Sequence, residues 1–198
     1  MAQQERARRT YEAVLDAAAK EFAAHGYTNT NLGHVAQSTG VTKGALYGHF
    51  ASKEELAAAL VQHLDDAWKL IEDGVGENPE SPVATLKDVT CALVARLHRD
   101  IRVNAALRLL LEEAQSSKRT PAFVSDVERT LLRLVVQAQQ CGEMDSAYPA
   151  EPVAQLMTTV IFGAHYLGSV REELDLITRV RSSWDVLLPA LGARWVVS

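Results

Sequence analysis

The chain has 198 residues, 47% of them apolar and 23% charged, enough for a sizeable core in one domain or in a small module attached to a larger one. Two cysteines, Cys91 and Cys141, exclude a disulfide scaffold, a Cys-rich zinc module and an iron–sulfur cluster, and no apolar run approaches the roughly 18–20 residues that cross a bilayer. The net charge of −5 is uneven: residues 1–53 carry six basic and four acidic side chains, the remainder 14 basic and 21 acidic. A mildly basic front on an acidic body points to a partner for the front and to solubility for the rest. The opening MAQQERARR has charge with no apolar signal region behind it, so a cytoplasmic protein is expected, with no membrane partner.

In chain order, residues 10–25 place Val14, Leu15, Ala17, Ala18 and Phe22 on a helical stripe that Gly26 stops, behind a flexible arm bearing Arg6, Arg8 and Arg9. LGHVAQST forms a second short helix ended by Gly40, and KGALYGHF a third with Thr42 as its N-cap. Helices this short are not stable alone, so they share one small core, for which Phe22, Leu32, Val35, Ala36, Val41, Leu46 and Phe50 are available. A longer helix is predicted over 53–73, with Ser52 as cap, Glu55 as capping-box partner and Leu56, Leu60, Leu64 and Trp68 repeating every four residues. After the loop 74–82, helical spacing fills 83–99, 101–117 and 122–140, then, beyond the connector 141–152, 153–170 and 172–191. No segment alternates like a strand. The expected fold is all-α, about nine helices: an N-terminal three-helix helix-turn-helix domain, 1–53, joined by a long helix to a larger helical body within 54–198.

The pair of short helices has helix-turn-helix spacing. A DNA-reading helix needs polar or basic residues near its N-terminus and small ones where bulk would hold it off the groove; Thr42, Lys43 and Gly44 meet that need. Tyr47 and His49 lie further along, Lys53 opens the next helix, and the arginine arm extends the basic surface. Short helices separated by glycine also occur in all-helical cores that touch no DNA. An enzyme reading lacks support: His25, His34, His49, His63, His98 and His165 form no H-E-x-x-H, and no G-x-S-x-G, Walker A or dinucleotide fingerprint occurs. Glu112–Glu113 and Glu172–Glu173 read as solvated pairs, and no catalytic residue, metal or cofactor is expected.

The stretch FAAHGYTNTNLGHVAQSTGVTKGALYGHFASKEEL resembles the N-terminal DNA-binding domain of the TetR family of bacterial transcriptional regulators. Phe22, Gly26 and Tyr27 resemble its F-x-x-x-G-Y/F element, Leu32, Val35 and Ala36 its support-helix core, Gly40–Val41 its G-V turn, and Gly44, Leu46, Tyr47, His49, Phe50 and Lys53 its G-x-L-Y-x-H-F-x-x-K pattern. The resemblance implies a recognition helix at 43–49, phosphate contacts from Thr30, Asn31 and Thr42, further backbone contacts from Tyr47, His49 and Lys53, and close approach at Gly44. Gly33 and Gly48 depart from the family by lacking the larger residues common there. VTKGALYGHFASKEELA and REELDLITRVRSSWDVLLPAL are similar to the gamma-butyrolactone receptor group, although Val127 lies where that group usually has a pocket tryptophan.

The implied function is a repressor that binds a pseudo-palindromic duplex operator as a homodimer, becomes nucleoid-associated on DNA, and releases it on binding a small, mostly apolar effector. A lactone or furan-type signal, an antibiotic or other lipophilic compound, and no effector at all remain alternatives. Effector candidates on the body are Trp68, Leu93, Leu97, Leu107, Leu110, Leu111, Leu131, Leu134, Phe162 and Tyr166, with His98, Arg108, Gln137 and His165 as orienting polar groups and Val127 at the missing tryptophan. The same residues equally suit a solidly packed core. The dimer is expected on the last two helices, through Leu156, Val160, Ile161, Gly163, Ala164, Leu167 and Gly168, then Val180, Trp184, Leu187 and Leu188. A helical adaptor would keep the body but has no use for the 42–53 surface.

Overall fold

The computed structural model describes residues 2–170 and 176–192. Among them are nine α-helices and no strand: α1 (Ala2–Asn29), α2 (Leu32–Thr39), α3 (Lys43–His49), α4 (Lys53–Val75), α5 (Pro82–Arg99), α6 (Ile101–Ser117), α7 (Ala122–Gln140), α8 (Ala150–Val170) and α9 (Leu176–Ala190). The all-α expectation holds. Glu172, Glu173 and Trp195 lie outside the described residues. Packing sorts the chain into two compact units, residues 1–67 with 100–121, and residues 68–99 with 122–198.

In the first unit α1 packs against α2 and α6. Helix α1 starts at Ala2, so the arm bearing Arg6, Arg8 and Arg9 is helical, not flexible. The reason is local: good helix formers run without glycine or proline to Gly26, and Arg9 pairs with Glu5 one turn back at 2.7 Å. The helix breaks at Gly26, where φ 72° and ψ −178° define a backbone state essentially confined to glycine. Phe22, Val35, Ala36, Leu46 and Phe50 are buried, with Leu32 and Val41 half-buried, and Tyr11 stacks on Phe50 at 4.7 Å. Ser52 Oγ accepts the Glu55 N–H at 3.2 Å as a helix cap should, while the Glu55 carboxylate reaches back to the Ala51 N–H, one residue earlier than a standard capping box.

Helix α6 is the main departure from expectation. Predicted as a wall of the body, it packs on α1, with small buried residues on both helices (Ala17, Ala18 and Ala19; Ala105 and Ala106) permitting close approach. Its start is pinned electrostatically: Arg102 binds Asp16 at 2.6 Å and Glu12 at 2.6 Å, and Asp100 caps the helix through the Arg102 N–H at 3.0 Å while meeting His63 Nε2 of α4 at 3.0 Å. In the second unit α5 lies against α7, α8 and α9, and α8 against α7 and α9, around Leu86, Leu93, Leu97, Leu131, Leu134, Ile161 and Trp184.

Candidate nucleic-acid interface

The helix-turn-helix is closed by side chains at each end. Asn31, extended at φ −110°, accepts the Gly33 N–H at 2.8 Å and starts α2; Gly40 ends it in the left-handed region at φ 68°. Thr42 Oγ1 then accepts the Ala45 N–H at 3.1 Å and starts α3. Leu46 and Phe50 point inward, so the helical period leaves Thr42, Lys43, Gly44 and Tyr47 exposed, Tyr47 at 52%. A concavity of about 440 Å³ where α2 begins brings together Asn31, Gly33, Lys43 and Tyr47. A Cβ at Gly33 would lie 2.9 Å from Asn31 Oδ1 and 3.6 Å from Lys43 Cε, so the missing side chain leaves room for the Asn31 cap and the lysine stem. Gly44 and Gly48 present bare backbone, with nothing near a Cβ except Thr42 Oγ1 at 3.9 Å from Gly44.

Other expected DNA contacts have internal duties. Thr30 is buried and its hydroxyl donates to the Gly26 carbonyl at 2.7 Å, so it fastens the bend after α1 and is withdrawn from phosphate. Lys53 Nζ donates to the Thr28 carbonyl at 3.2 Å and sits 4.8 Å from the Tyr27 ring centroid, which ties α4 to the end of α1. His49 is half-buried, edge-on to Tyr11 at 6.3 Å. Arg6 and Arg8 are exposed on α1.

Sequence reasoning missed what holds this module from behind. The Tyr27 N–H, freed by the break at Gly26, donates to Glu112 Oε2 of α6 at 2.8 Å; Arg108 holds the same carboxylate at 2.9 Å and donates to the Ala23 carbonyl. Burial alone would raise the Glu112 pKa, but the Tyr27 N–H and Arg108 outweigh it and keep the group below its ordinary 4.5. The Tyr27 hydroxyl donates to Glu54 at 2.8 Å, which lowers the Glu54 pKa and raises that of Tyr27. The four-residue spacing of Arg108 and Glu112 is readable in the sequence; their partner 85 residues away is not.

The expected effector residues divide. Trp68, Leu93, Leu97, Val127, Leu131 and Leu134 are buried in the second unit, where Trp68 meets Phe123 edge-on at 6.2 Å and Phe123 meets half-buried Phe162 at 6.3 Å. Trp68 Nε1 is buried without a hydrogen-bond partner among the described residues. Gln137 donates to the Glu77 carbonyl at 2.7 Å and its own oxygen is buried without a partner among the described residues. His98 is exposed; burial, and then the nearby His98, push the half-buried His165 imidazole below its ordinary 6.5. Leu107, Arg108 and Leu110 instead belong to the first unit because α6 does, and Leu111 and Tyr166 are exposed at 39% and 70% instead of facing inward.

The expected dimer stripe is divided as well. Ile161, Val180, Trp184 and Leu188 are buried within the chain's own core, because α8 packs on α5 and α7, and α9 on α5 and α8. Leu156, Gly163 and Leu167 are exposed, and Val160, Ala164 and Leu187 half-buried. Gly168 is part of α8, but its surroundings lie outside the described residues. Cys91 is buried and Cys141 exposed; no cluster of metal-binding side chains and no helix long and apolar enough to cross a membrane occurs among the described residues.

Residues 14–60, covering α2, α3, most of α1 and the start of α4, match the profile of the TetR family of bacterial regulatory proteins. Over its whole length the chain is 27% identical to the A-factor receptor protein of Streptomyces griseus, covering 69% of that protein. Among solved structures it resembles CprB, a TetR-family protein from S. coelicolor A3(2), with a TM-score of 0.78 at 24% identity over 96% of this chain and 92% of the other. It also resembles SmeT, the repressor of the Stenotrophomonas maltophilia multidrug efflux pump SmeDEF, with a TM-score of 0.71 at 26% identity over 95% and 92% of the two chains.

Proposed function

We propose that this chain, whose residues 14–60 match the TetR-family profile, is a TetR-type homodimeric repressor that reads a pseudo-palindromic operator through α3 and releases it when the second unit binds a small, mostly apolar molecule. The observation that carries the DNA reading is the exposed face of Thr42, Lys43, Gly44 and Tyr47, built on caps that hold α2 and α3 in place. One short helix reads only a few base pairs, so a twofold pair of readers is needed for specificity. Residues 1–53 are the DNA module in this reading, with phosphate contacts from Asn31, Lys43 and Tyr47 at the concavity they line. The test is selection of bound fragments from genomic DNA followed by a salt titration. An enriched inverted repeat is expected, and Lys43→Ala should lower the salt slope by about one per lost phosphate contact. Recovery of no enriched sequence would refute specific repression.

The effector reading rests on the buried Trp68 N–H, without an acceptor among the described residues, beside the Phe123–Phe162 aromatic pair. A ligand with an apolar body and a carbonyl or ring oxygen satisfies both features, which suits a lactone or furan-type signal and accords with the A-factor receptor likeness. An antibiotic-like lipophile is the second reading, favoured by the likeness to an efflux-pump repressor. Effector and operator then oppose each other by the same factor, typically about 1–3 kcal/mol. Operator-bound protein challenged with culture extract and with synthetic butyrolactones separates the two readings, and Trp68→Phe should weaken whichever ligand acts.

A further inference from the structure

A groove of about 690 Å³ lies within the first unit, lined by the first half of α4, the second half of α6, and Tyr27 and Thr28 of α1. Its volume is that of a small-molecule site. The apolar lining comes from Ala57, Ala58 and Val61 of α4 and from Leu109 and Leu110 of α6. Its charged lining is acidic throughout: Glu54 and Asp65 on one wall, Glu112 and Glu113 on the other, with no lysine, arginine or histidine among the lining residues. Glu54 and Glu112 are held ionised by the hydrogen bonds they accept from the Tyr27 hydroxyl and the Tyr27 N–H. The neighbouring cations are occupied: Arg108 with Glu112 and the Ala23 carbonyl, Lys53 with the Thr28 carbonyl.

We propose that this groove is a second small-molecule site, separate from the effector site around Trp68, and that it takes a lipophilic monocation whose apolar body lies along Ala58, Val61 and Leu110 and whose charge is held by the carboxylates of both walls. A neutral or anionic compound of the same shape gains the apolar contacts but not the attraction, and an anion meets like charge at Glu54 on one wall and Glu113 on the other. The groove also lies against the Tyr27 contacts that fasten the end of α1, just ahead of the support helix α2. That its occupancy alters DNA affinity rests on the regulator reading; the binding itself does not.

Tetraphenylphosphonium and tetraphenylborate, equal in shape and opposite in charge, test the site by calorimetry on the full chain without DNA. The phosphonium is expected to bind once per chain and the borate not to bind there. Ala58→Lys, at an exposed helical position, and Val61→Trp, which fills the groove, should each remove phosphonium binding, while Glu113→Gln should weaken it about two- to fivefold, as for an exposed charge pair. Should Val61→Trp fail to fold, Ala58→Lys alone decides. Absence of phosphonium binding, equal binding of the borate, or unchanged affinity in Ala58→Lys would each overturn the proposal. Because no DNA is present, failure of the repressor reading leaves this result intact, and a positive result leaves that reading to its own test.

Discussion

Gly26 shows how one residue sets the geometry around the helix-turn-helix. Its positive φ breaks α1 one turn before its end, turns the Tyr27 N–H towards Glu112, and turns its own carbonyl to the Thr30 hydroxyl. A Cβ there would meet the Glu112 carboxylate while also straining the backbone. Gly26→Ala is expected to destabilise the chain by about 1–3 kcal/mol in urea unfolding, and Glu112→Gln by less, since a neutral amide oxygen can still accept from Tyr27. If Gly26→Ala costs nothing, the bend is not fixed by these contacts. The motif positions that resemble a DNA-binding domain therefore hold two kinds of residue: Lys43 and Tyr47 face outward, whereas Thr30 and Lys53 join the ends of helices.

The short helices α2 and α3 depend on their caps more than on their length. Thr42→Ala removes the acceptor for the Ala45 N–H and should cost about 1 kcal/mol of stability, together with DNA affinity, because α3 frays at the end that faces outward. Thr42→Ser should restore both. The start of α6 depends on pH. Burial raises the Asp100 pKa, but His63 and the Arg102 and Val103 N–H groups prevail and hold it below its ordinary 3.8. A carboxyl depressed in the folded state contributes stability that is fully present above its unfolded pKa and is lost as pH falls through its folded pKa. Acid unfolding below about pH 4 should therefore be less steep in Asp100→Asn than in the parent, read from melting temperatures across pH 2–6. An unchanged slope would remove Asp100 from the account.

Across the whole molecule, exposure sorts the expected interface residues into two tests. Trp184 is fully buried in the second unit, so Trp184→Ala should cost about 3–5 kcal/mol of stability whatever the oligomeric state. Leu156 is 41% exposed, so Leu156→Glu should change the stability of an isolated chain by no more than about 0.5 kcal/mol. If α8 forms the dimer seam, the same change buries an unpaired carboxylate and produces a folded monomer in sedimentation. A dimer unaffected by Leu156→Glu would move the seam elsewhere.

The order of the helices was legible because it follows from local causes: apolar period, the Thr42 and Ser52 caps, and the breaks at Gly26 and Gly40, whereas the Asn31 cap emerged only from the structure. The inward and outward faces of α3 follow from the same period, which is why Leu46 was expected inside and Tyr47 outside. Partnership between helices is not a local property. Helix α6 has apolar and small residues that suit a body wall or a brace for α1 equally well, and the choice is made by Arg102 meeting Asp16 and by Glu112 meeting Tyr27, pairs separated by 86 and 85 residues. Likewise the α9 stripe reads the same whether it covers α5 or a second chain; folding places Trp184 against the chain's own core. Local pattern is thus sufficient to order the helices and to say which side of α3 faces out, though not to show that α1 begins at Ala2. Which of the polar residues stay exposed, Lys43 and Tyr47 but not Thr30, is settled in the fold, because side chains distant in sequence compete for the same polar groups and apolar faces and that competition is resolved when the helices pack.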